Sequence, residues 1–153
     1  MSADSAPARA GEVRVLVVDD EPAIRFLCRV NLEASGIEVA EAEDGRSALA
    51  AARQHRPDLV LLDVMMPALN GWDVADELAR IDPTLPIVFL TALTDEPARV
   101  KAYEHGGVGY ILKPFDPVQL ADAVRTTLDR VGRGDEDVLR RAILREGGSR
   151  GEP

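Results

Sequence analysis

Cysteine occurs once in the 153-residue chain, at Cys28. No intrachain disulfide can form, which excludes a small secreted fold held by disulfides. No apolar run approaches the roughly 20 residues that cross a bilayer. No apolar stretch follows a basic start, so no signal peptide is read and the expected compartment is the cytoplasm. Positive charge is scarce: 18 Lys and Arg against 27 Asp and Glu leave a net charge of −9. That balance lacks the electrostatic footprint of non-specific nucleic-acid binding and suits anionic membrane surfaces poorly. Neither nucleic acid nor membrane is expected to bind this chain directly. Lysine is scarcer still, with Lys101 and Lys113 alone among basic residues that are otherwise Arg. The two histidines, His55 and His105, read as surface residues with no second metal ligand near them in sequence. Neither an internal repeat nor a long low-complexity segment is present.

What is present is a hydrophobic fraction of 46%, enough for one domain core and too much for wholesale disorder. Residues 1–12 read as a flexible lead-in, residues 13–131 as the folded domain, and residues 132–153 as a linker, a short helix and a disordered tail. Within the domain a rhythm repeats. Val13–Val18 is β-branched and apolar, the profile of a buried strand, and it ends on Asp19-Asp20. Pro22 opens a helix with Ile24, Leu27, Cys28 and Leu32 at helical spacing, and Gly36 closes it. Ile37–Ala42 is a second strand, followed by an Ala-rich helix over Ser47–Gln54. Leu59–Leu62 is a third strand and ends on Asp63. Trp72–Arg80 is a helix, and Ile87–Leu90 is a fourth strand ending on Thr91. Asp95 and Pro97 start a short helix to Glu104, and Gly106-Gly107 stops it. Gly109–Leu112 is a fifth strand ending on Lys113-Pro114, and Asp116-Pro117 opens a last helix with Leu120, Ala121, Val124, Leu128 and Val131 on one face.

Apolar strands alternating with amphipathic helices predict an α/β fold: five parallel strands in one sheet with helices on both faces. Ligands of such sheets sit beyond the carboxyl ends of the strands. Asp19, Asp20, Asp63, Thr91 and Lys113 all stand there, so four strands deliver polar groups to one rim. Two like charges 4 Å apart repel by about 4 kcal/mol at an effective dielectric near 20. Clustered carboxylates therefore need a cation, and an all-oxygen donor set favours Mg²⁺ over Zn²⁺. Asp63, apart from the Asp19-Asp20 pair, is the candidate nucleophile for an aspartyl-phosphate. Thr91 can donate a hydroxyl hydrogen bond to a phosphoryl oxygen, and Lys113 supplies a compact positive charge.

The motifs Leu16–Pro22, Leu61–Pro67 with Gly71, Phe89–Ala92 and Tyr110–Phe115 resemble those of the receiver domains of two-component response regulators, the family of the bacterial chemotaxis receiver. The resemblance covers residues 13 to about 131 and implies a doubly wound, flavodoxin-like sheet with strand order 2-1-3-4-5. It implies that Asp63 accepts a phosphoryl group from a histidine kinase or a histidine phosphotransfer protein. It implies Mg²⁺ held by Asp19, Asp20, Asp63 and the backbone carbonyl of Met65. It also implies a switch in which Thr91 moves toward the phosphoryl group and Tyr110 turns inward behind it. The face formed by the fourth helix, fifth strand and fifth helix would then dock a downstream protein or a second copy. A cis peptide before Pro114 is part of the family pattern. The protein is accordingly expected to be a self-phosphorylating and self-dephosphorylating acceptor, not a dedicated enzyme.

The chain departs from the pattern in places. Gly106-Gly107-Val108-Gly109 carries more glycine than the family's usual Gly-Ala pair, which implies a looser loop before Tyr110. Met65 is apolar where the family often has a polar residue, a position that influences water access to the phosphoryl group. Small Ala92 keeps the site open to donors such as acetyl phosphate. Cys28 and Trp72 read as packing residues and Met65-Met66 as loop packing. Three rival functions are weighed. A receiver cut from a longer DNA-binding regulator would use residues 132–153 as its linker; a stand-alone module is preferred because only about 20 residues follow the domain. A haloacid-dehalogenase-type phosphohydrolase would need an Asp at the position of Met65. A flavin-binding flavodoxin would not put Asp19-Asp20-Glu21 where it cradles phosphate. The segment Asp135–Glu146 is expected to be a frayed surface helix, and Gly147–Pro153 to be disordered.

Overall fold

The computed structural model describes residues 12–67 and 70–149. The lead-in expected at residues 1–12 lies outside them except for residue 12, as do residues 150–153 of the expected tail. Five strands, β1 (Arg14–Val18), β2 (Glu38–Ala42), β3 (Leu59–Asp63), β4 (Ile87–Thr91) and β5 (Gly109–Leu112), form one parallel sheet in the order β2-β1-β3-β4-β5. Six helices accompany them: α1 (Pro22–Ala34), α2 (Gly45–His55), α3 (Gly71–Ile81), α4 (Glu96–Glu104), α5 (Leu120–Gly132) and α6 (Glu136–Ser149). This is the doubly wound order that the resemblance implies.

Side chains alternate across the sheet, as the two-residue period of a strand requires. Leu16, Val18, Val60, Leu62 and Phe89 face α2, α3 and α4. Val15, Val17, Leu59, Leu61, Val88 and Leu90 face α1 and α5. Both faces are covered, which is why the strands read as continuous apolar runs. Cys28 is wholly buried in the second layer. Burial, then the nearby Asp19 charge, pushes its thiol up to about 12, so it packs as a small apolar group and has no nucleophilic role. Arg14 is the polar exception in β1. It is neutralised where it sits, donating to Glu38 at 2.7 Å and to the His55 carbonyl.

Local signals set the helix starts, with some differences from expectation. The second helix begins at Gly45, two residues before Ser47, because Asp44 and Ser47 form a reciprocal capping box. Asn70 caps α3, accepting from Asp73 N–H at 3.0 Å. Asp95 occupies the N-cap of α4 but makes no side-chain cap bond. Asp116 accepts from Val118 N–H at 3.0 Å and opens a short 3₁₀ turn, Pro117–Gln119, before α5 starts. Trp72 packs between Phe89, 4.9 Å away between ring centres, and His105, 5.7 Å away. His105 is not a free surface residue: its Nδ1 lies 2.8 Å from Asp76. The Met65 and Met66 expectation divides, since Met66 is buried while Met65 is 59% exposed.

The glycines before β5 have a packing reason. Gly106 takes φ +84°, a left-handed turn that ends α4. At Gly107 a Cβ would lie 2.8 Å from the Phe89 ring and 3.0 Å from the Ala102 carbonyl. The extra glycine thus makes room for Phe89; it does not mark an open, slack loop. Gly107→Ala is expected to cost about 1–3 kcal/mol in denaturant unfolding, the usual range for overpacking. Phe89→Leu in the same chain should recover part of that loss. Equal losses with and without the second substitution would show that the ring is not the obstacle.

Two findings concern the C-terminus. Residues 147–149 continue α6, where disorder was expected. Ile143 in α6 is 1% exposed, so the helix is packed rather than frayed.

Candidate functional site

The strand registers build the site. Val18 pairs with Leu62, which sets Asp19 beside Asp63. Asp63 pairs with Leu90, which sets Thr91 one step beyond. Thr91 pairs with Leu112, and Lys113 N–H donates to the Thr91 carbonyl at 2.8 Å. The four strand ends therefore lie side by side along one rim of the sheet. The Lys113–Pro114 bond is cis, as the resemblance implied. Gly71 brings the start of α3 against β3: a Cβ there would lie 2.4 Å from the Asp63 carbonyl oxygen.

Carboxylate oxygens of Asp19, Asp20 and Asp63 lie within 4.8 Å of one another. Asp19 and Asp63 are buried, and Asp20 is the more accessible of the three. Asp19 Oδ1 accepts from Glu21 N–H at 2.9 Å. Asp63 Oδ1 accepts from Met65 N–H at 3.1 Å. Lys113 Nζ lies 2.8 Å from Asp19 Oδ2, 3.6 Å from Asp63 Oδ1 and 3.5 Å from Glu21. Burial, then the Asp19 charge, pushes the Asp63 carboxyl up to about 7, against the opposing pull of Lys113. Burial also pulls on the Lys113 ammonium, but contact with Asp19 and the charges of Asp19, Asp63 and Glu21 outweigh it and hold it above the ordinary lysine value. One ammonium is thus shared among several carboxylates.

Those residues fit a hard divalent cation. The donor set is all oxygen, and one lysine does not balance it. The buried Asp19 Oδ2 meets Lys113 as an ion pair but has no well-angled hydrogen-bond donor, so a lone pair remains for a metal. Mg²⁺ typically takes one or two carboxylates and leaves positions for phosphate and water.

Thr91 is fully buried at the end of β4, and its Oγ1 accepts from Leu93 N–H at 3.0 Å. Tyr110 is half-buried, and its hydroxyl donates to the Leu93 carbonyl at 2.8 Å. Leu93 therefore ties Thr91 and Tyr110 together through its two backbone groups. Sequence reading missed this junction because backbone groups carry no residue signature. It also passed over Glu21 as a neighbour of Lys113, although its position right after the Asp pair was a signal, and Arg25, which donates to the Asp19 carbonyl at 2.6 Å.

Comparison with known proteins agrees with the geometry. A family model described as the response regulator receiver domain matches residues 15–125. The DNA-binding response regulator MtrA of Mycolicibacterium smegmatis is 41% identical over 144 residues, covering 88% of this chain and 63% of that one. The DNA-binding dual master transcriptional regulator RpaA of Synechocystis is 37% identical over 136 residues, covering 88% and 56%. These relatives are regulators, not dedicated enzymes, and the chain spans about half the length of the curated relatives it matches. Among solved structures, a CheY-like receiver domain protein from Methanospirillum hungatei superposes with a TM-score of 0.76 at 26% identity, covering 81% of this chain and 99% of that one. Among the described residues no helix is long and apolar enough to cross a membrane.

Proposed function

Since the chain belongs to the response regulator receiver family of two-component systems, we propose that Asp63 is its phosphoacceptor and that residues 13–131 form the phosphorylated unit. The observation that carries the reading is a buried carboxylate with two further carboxylates and a single ammonium around it. A carboxylate oxygen of Asp63 attacks the phosphorus of a phosphohistidine on a partner kinase or phosphotransfer protein. An O–P bond forms, the P–N bond breaks, and the imidazole nitrogen leaves with the bonding pair. Lys113 stays charged through this step and attracts the phosphoryl oxygens. Asp19, Asp20, Asp63 and the Met65 carbonyl would hold Mg²⁺, which would supply positive charge to offset carboxylates and phosphoryl oxygens together.

The output follows from competition for Thr91. A phosphoryl group on Asp63 offers the Thr91 hydroxyl an acceptor, and moving toward it gives up the bond from Leu93 N–H. That shifts Leu93, whose carbonyl holds the Tyr110 hydroxyl. Tyr110 then turns inward and changes the α4–β5–α5 face, which docks a downstream protein or a second copy. Moving such a switch from 1:99 to 99:1 takes about 5.5 kcal/mol of differential binding, and a new doubly charged group with its donors can contribute a few kcal/mol of that.

The test is incubation with acetyl phosphate and Mg²⁺, followed by intact-mass measurement. The expected product carries one phosphoryl group that hydroxylamine removes, as it does from an acyl phosphate. A label that resists hydroxylamine, or no label at all, overturns the reading. A second experiment separates acceptor from switch. Thr91→Ala should label within about fivefold of the wild type, the scale of one hydrogen bond, while the ring resonances of Tyr110 no longer move on phosphorylation. Resonances that move as in the wild type would remove Thr91 from the mechanism.

A second reading of the whole protein has its own support. The relatives MtrA and RpaA are DNA-binding regulators, which favours a receiver that serves a DNA-binding unit over the stand-alone module. The length of the intact reading frame decides between the two, and the chemistry at Asp63 is the same in both.

A further inference from the structure

The acidic site does not account for α6. Helix α5 ends in a reversal, with Gly134 at φ +87°. Asp135 N–H donates to the Arg130 carbonyl at 2.9 Å, and the two side chains lie 3.6 Å apart. The chain thereby turns back on the domain. Helix α6 lies against β5, the free edge strand of the sheet, and packs on both α4 and α5. Its inner residues reach both cores. Ile143 joins the layer that holds Phe89, Ala98 and Ala102, against which Tyr110 also packs. Leu139 packs against the opposite layer, beside Val108 and Val124. Arg140 sits over the Tyr103 ring, 4.7 Å from its centre, and donates to the Tyr103 carbonyl. The face proposed above for partner docking is therefore covered by the chain's own helix.

The cover is not tight throughout. A cavity of about 240 Å³ remains between α6, β5 and α5, with Leu139, Ala142, Tyr110, Ile111, Val124 and Thr127 in its wall. Tyr110 thus bonds Leu93 at one end and shares the wall of this cavity with Leu139 and Ala142 of α6. Turning its ring inward alters the surface on which Leu139 and Ile143 rest.

We propose that α6 is an internal plug of the α4–β5–α5 face, and that phosphorylation of Asp63 releases it through Thr91, Leu93 and Tyr110. The proposal rests on the phosphoacceptor reading of Asp63. A partner gains access to the face only after α6 leaves it, so phosphorylation sets binding by exposure as well as by shape. Coupling is reciprocal: if the phosphoryl group favours the open form, opening α6 must favour the phosphorylated state.

The test is hydrogen exchange on the full chain before and after acetyl phosphate with Mg²⁺, with the intact mass recorded on the same samples. Amides of residues 139–144 should exchange at least about tenfold faster in the phosphorylated protein, while those of β1 and α1 hold steady. A labelled protein whose α6 exchanges as before overturns the plug and leaves the phosphoacceptor standing. An unlabelled protein overturns both. A second arm uses Ile143→Asp, which undocks α6 without touching the acidic site. Its labelled fraction at limiting donor should rise several-fold, within the usual range of coupling. A fraction equal to the wild type's, with α6 shown to be open by exchange, overturns the coupling. If Ile143→Asp does not fold, Arg140→Ala, which removes only the Tyr103 contacts, serves in its place.

Discussion

Asp63→Asn should leave a protein that accepts no phosphoryl group and yet, without metal, is more stable than the wild type at pH 8. Both results come from one carboxylate. The amide lacks the anionic oxygen that attacks phosphorus, so labelling by a small donor falls to background. The stability gain comes from crowding. Burial and the Asp19 charge push Asp63 up to about 7, whereas the unfolded chain ionises near the ordinary Asp value of about 4. At pH 3 the group is protonated in both states and costs nothing. As pH rises from about 4 to 7, the unfolded state sheds its proton first and the folded state loses stability relative to it. Above about 7 the full penalty applies, on the order of 4 kcal/mol before relaxation of the site. Denaturant titrations at pH 5 and pH 8 measure it. The advantage of Asp63→Asn at the first should be about a third of its size at the second, where it reaches a few kcal/mol. Mg²⁺ should stabilise the wild type more than the variant, and a chelator should undo the difference. A variant no more stable than the wild type at pH 8 would show that Asp63 is not a strained carboxylate.

Lys113→Met should have the opposite sign and a similar size. The Lys113 ammonium is the cation 2.8 Å from buried Asp19 and 3.6 Å from buried Asp63. Removing one partner of a buried pair typically costs about 3–5 kcal/mol, because the other charge is left unbalanced. The pKa of Lys113 is raised in the folded state, so its contribution is fully present below the unfolded lysine value of about 10.4 and fades only as pH rises through the higher folded value. The loss should therefore be smaller at pH 5, where Asp63 is protonated, and grow as pH rises through about 7 and Asp63 ionises. In an Asp63→Asn background the same substitution should cost less, since one of the two carboxylates is gone, and the gap between the two costs measures their coupling. Additive effects would mean that Lys113 and Asp63 do not interact.

The two predictions bear on the functional reading together. A site optimised for stability alone would not bury Asp19 and Asp63 beside accessible Asp20 with one lysine among them. Such crowding makes sense where a cation and a phosphoryl group complete the charge balance, as proposed for Asp63. The proposed plug carries that logic to the far side of Tyr110, where release of α6 would open a docking face.

Much of this was legible in the sequence. Each strand is a run of apolar residues closed by a polar one, and a parallel sheet brings those closing residues to one rim. Asp19, Asp63, Thr91 and Lys113 could therefore be grouped before any contact was known, because period and polarity are local properties of the chain. Gly107 was legible only as a departure, since the Phe89 ring that forbids a side chain there lies 18 positions earlier in the sequence. The Leu93 junction left no trace, as it consists of a backbone N–H and a backbone carbonyl. The docking of α6 was also out of reach. Its pattern of Leu139 and Ile143 describes an amphipathic helix equally well whether it is frayed in solvent or packed on β5. Local pattern thus settled which elements form and which polar groups meet. The tertiary structure alone decided how those groups share charge and what covers the edge of the sheet, because distances between remote segments and the burial they create depend on every element at once.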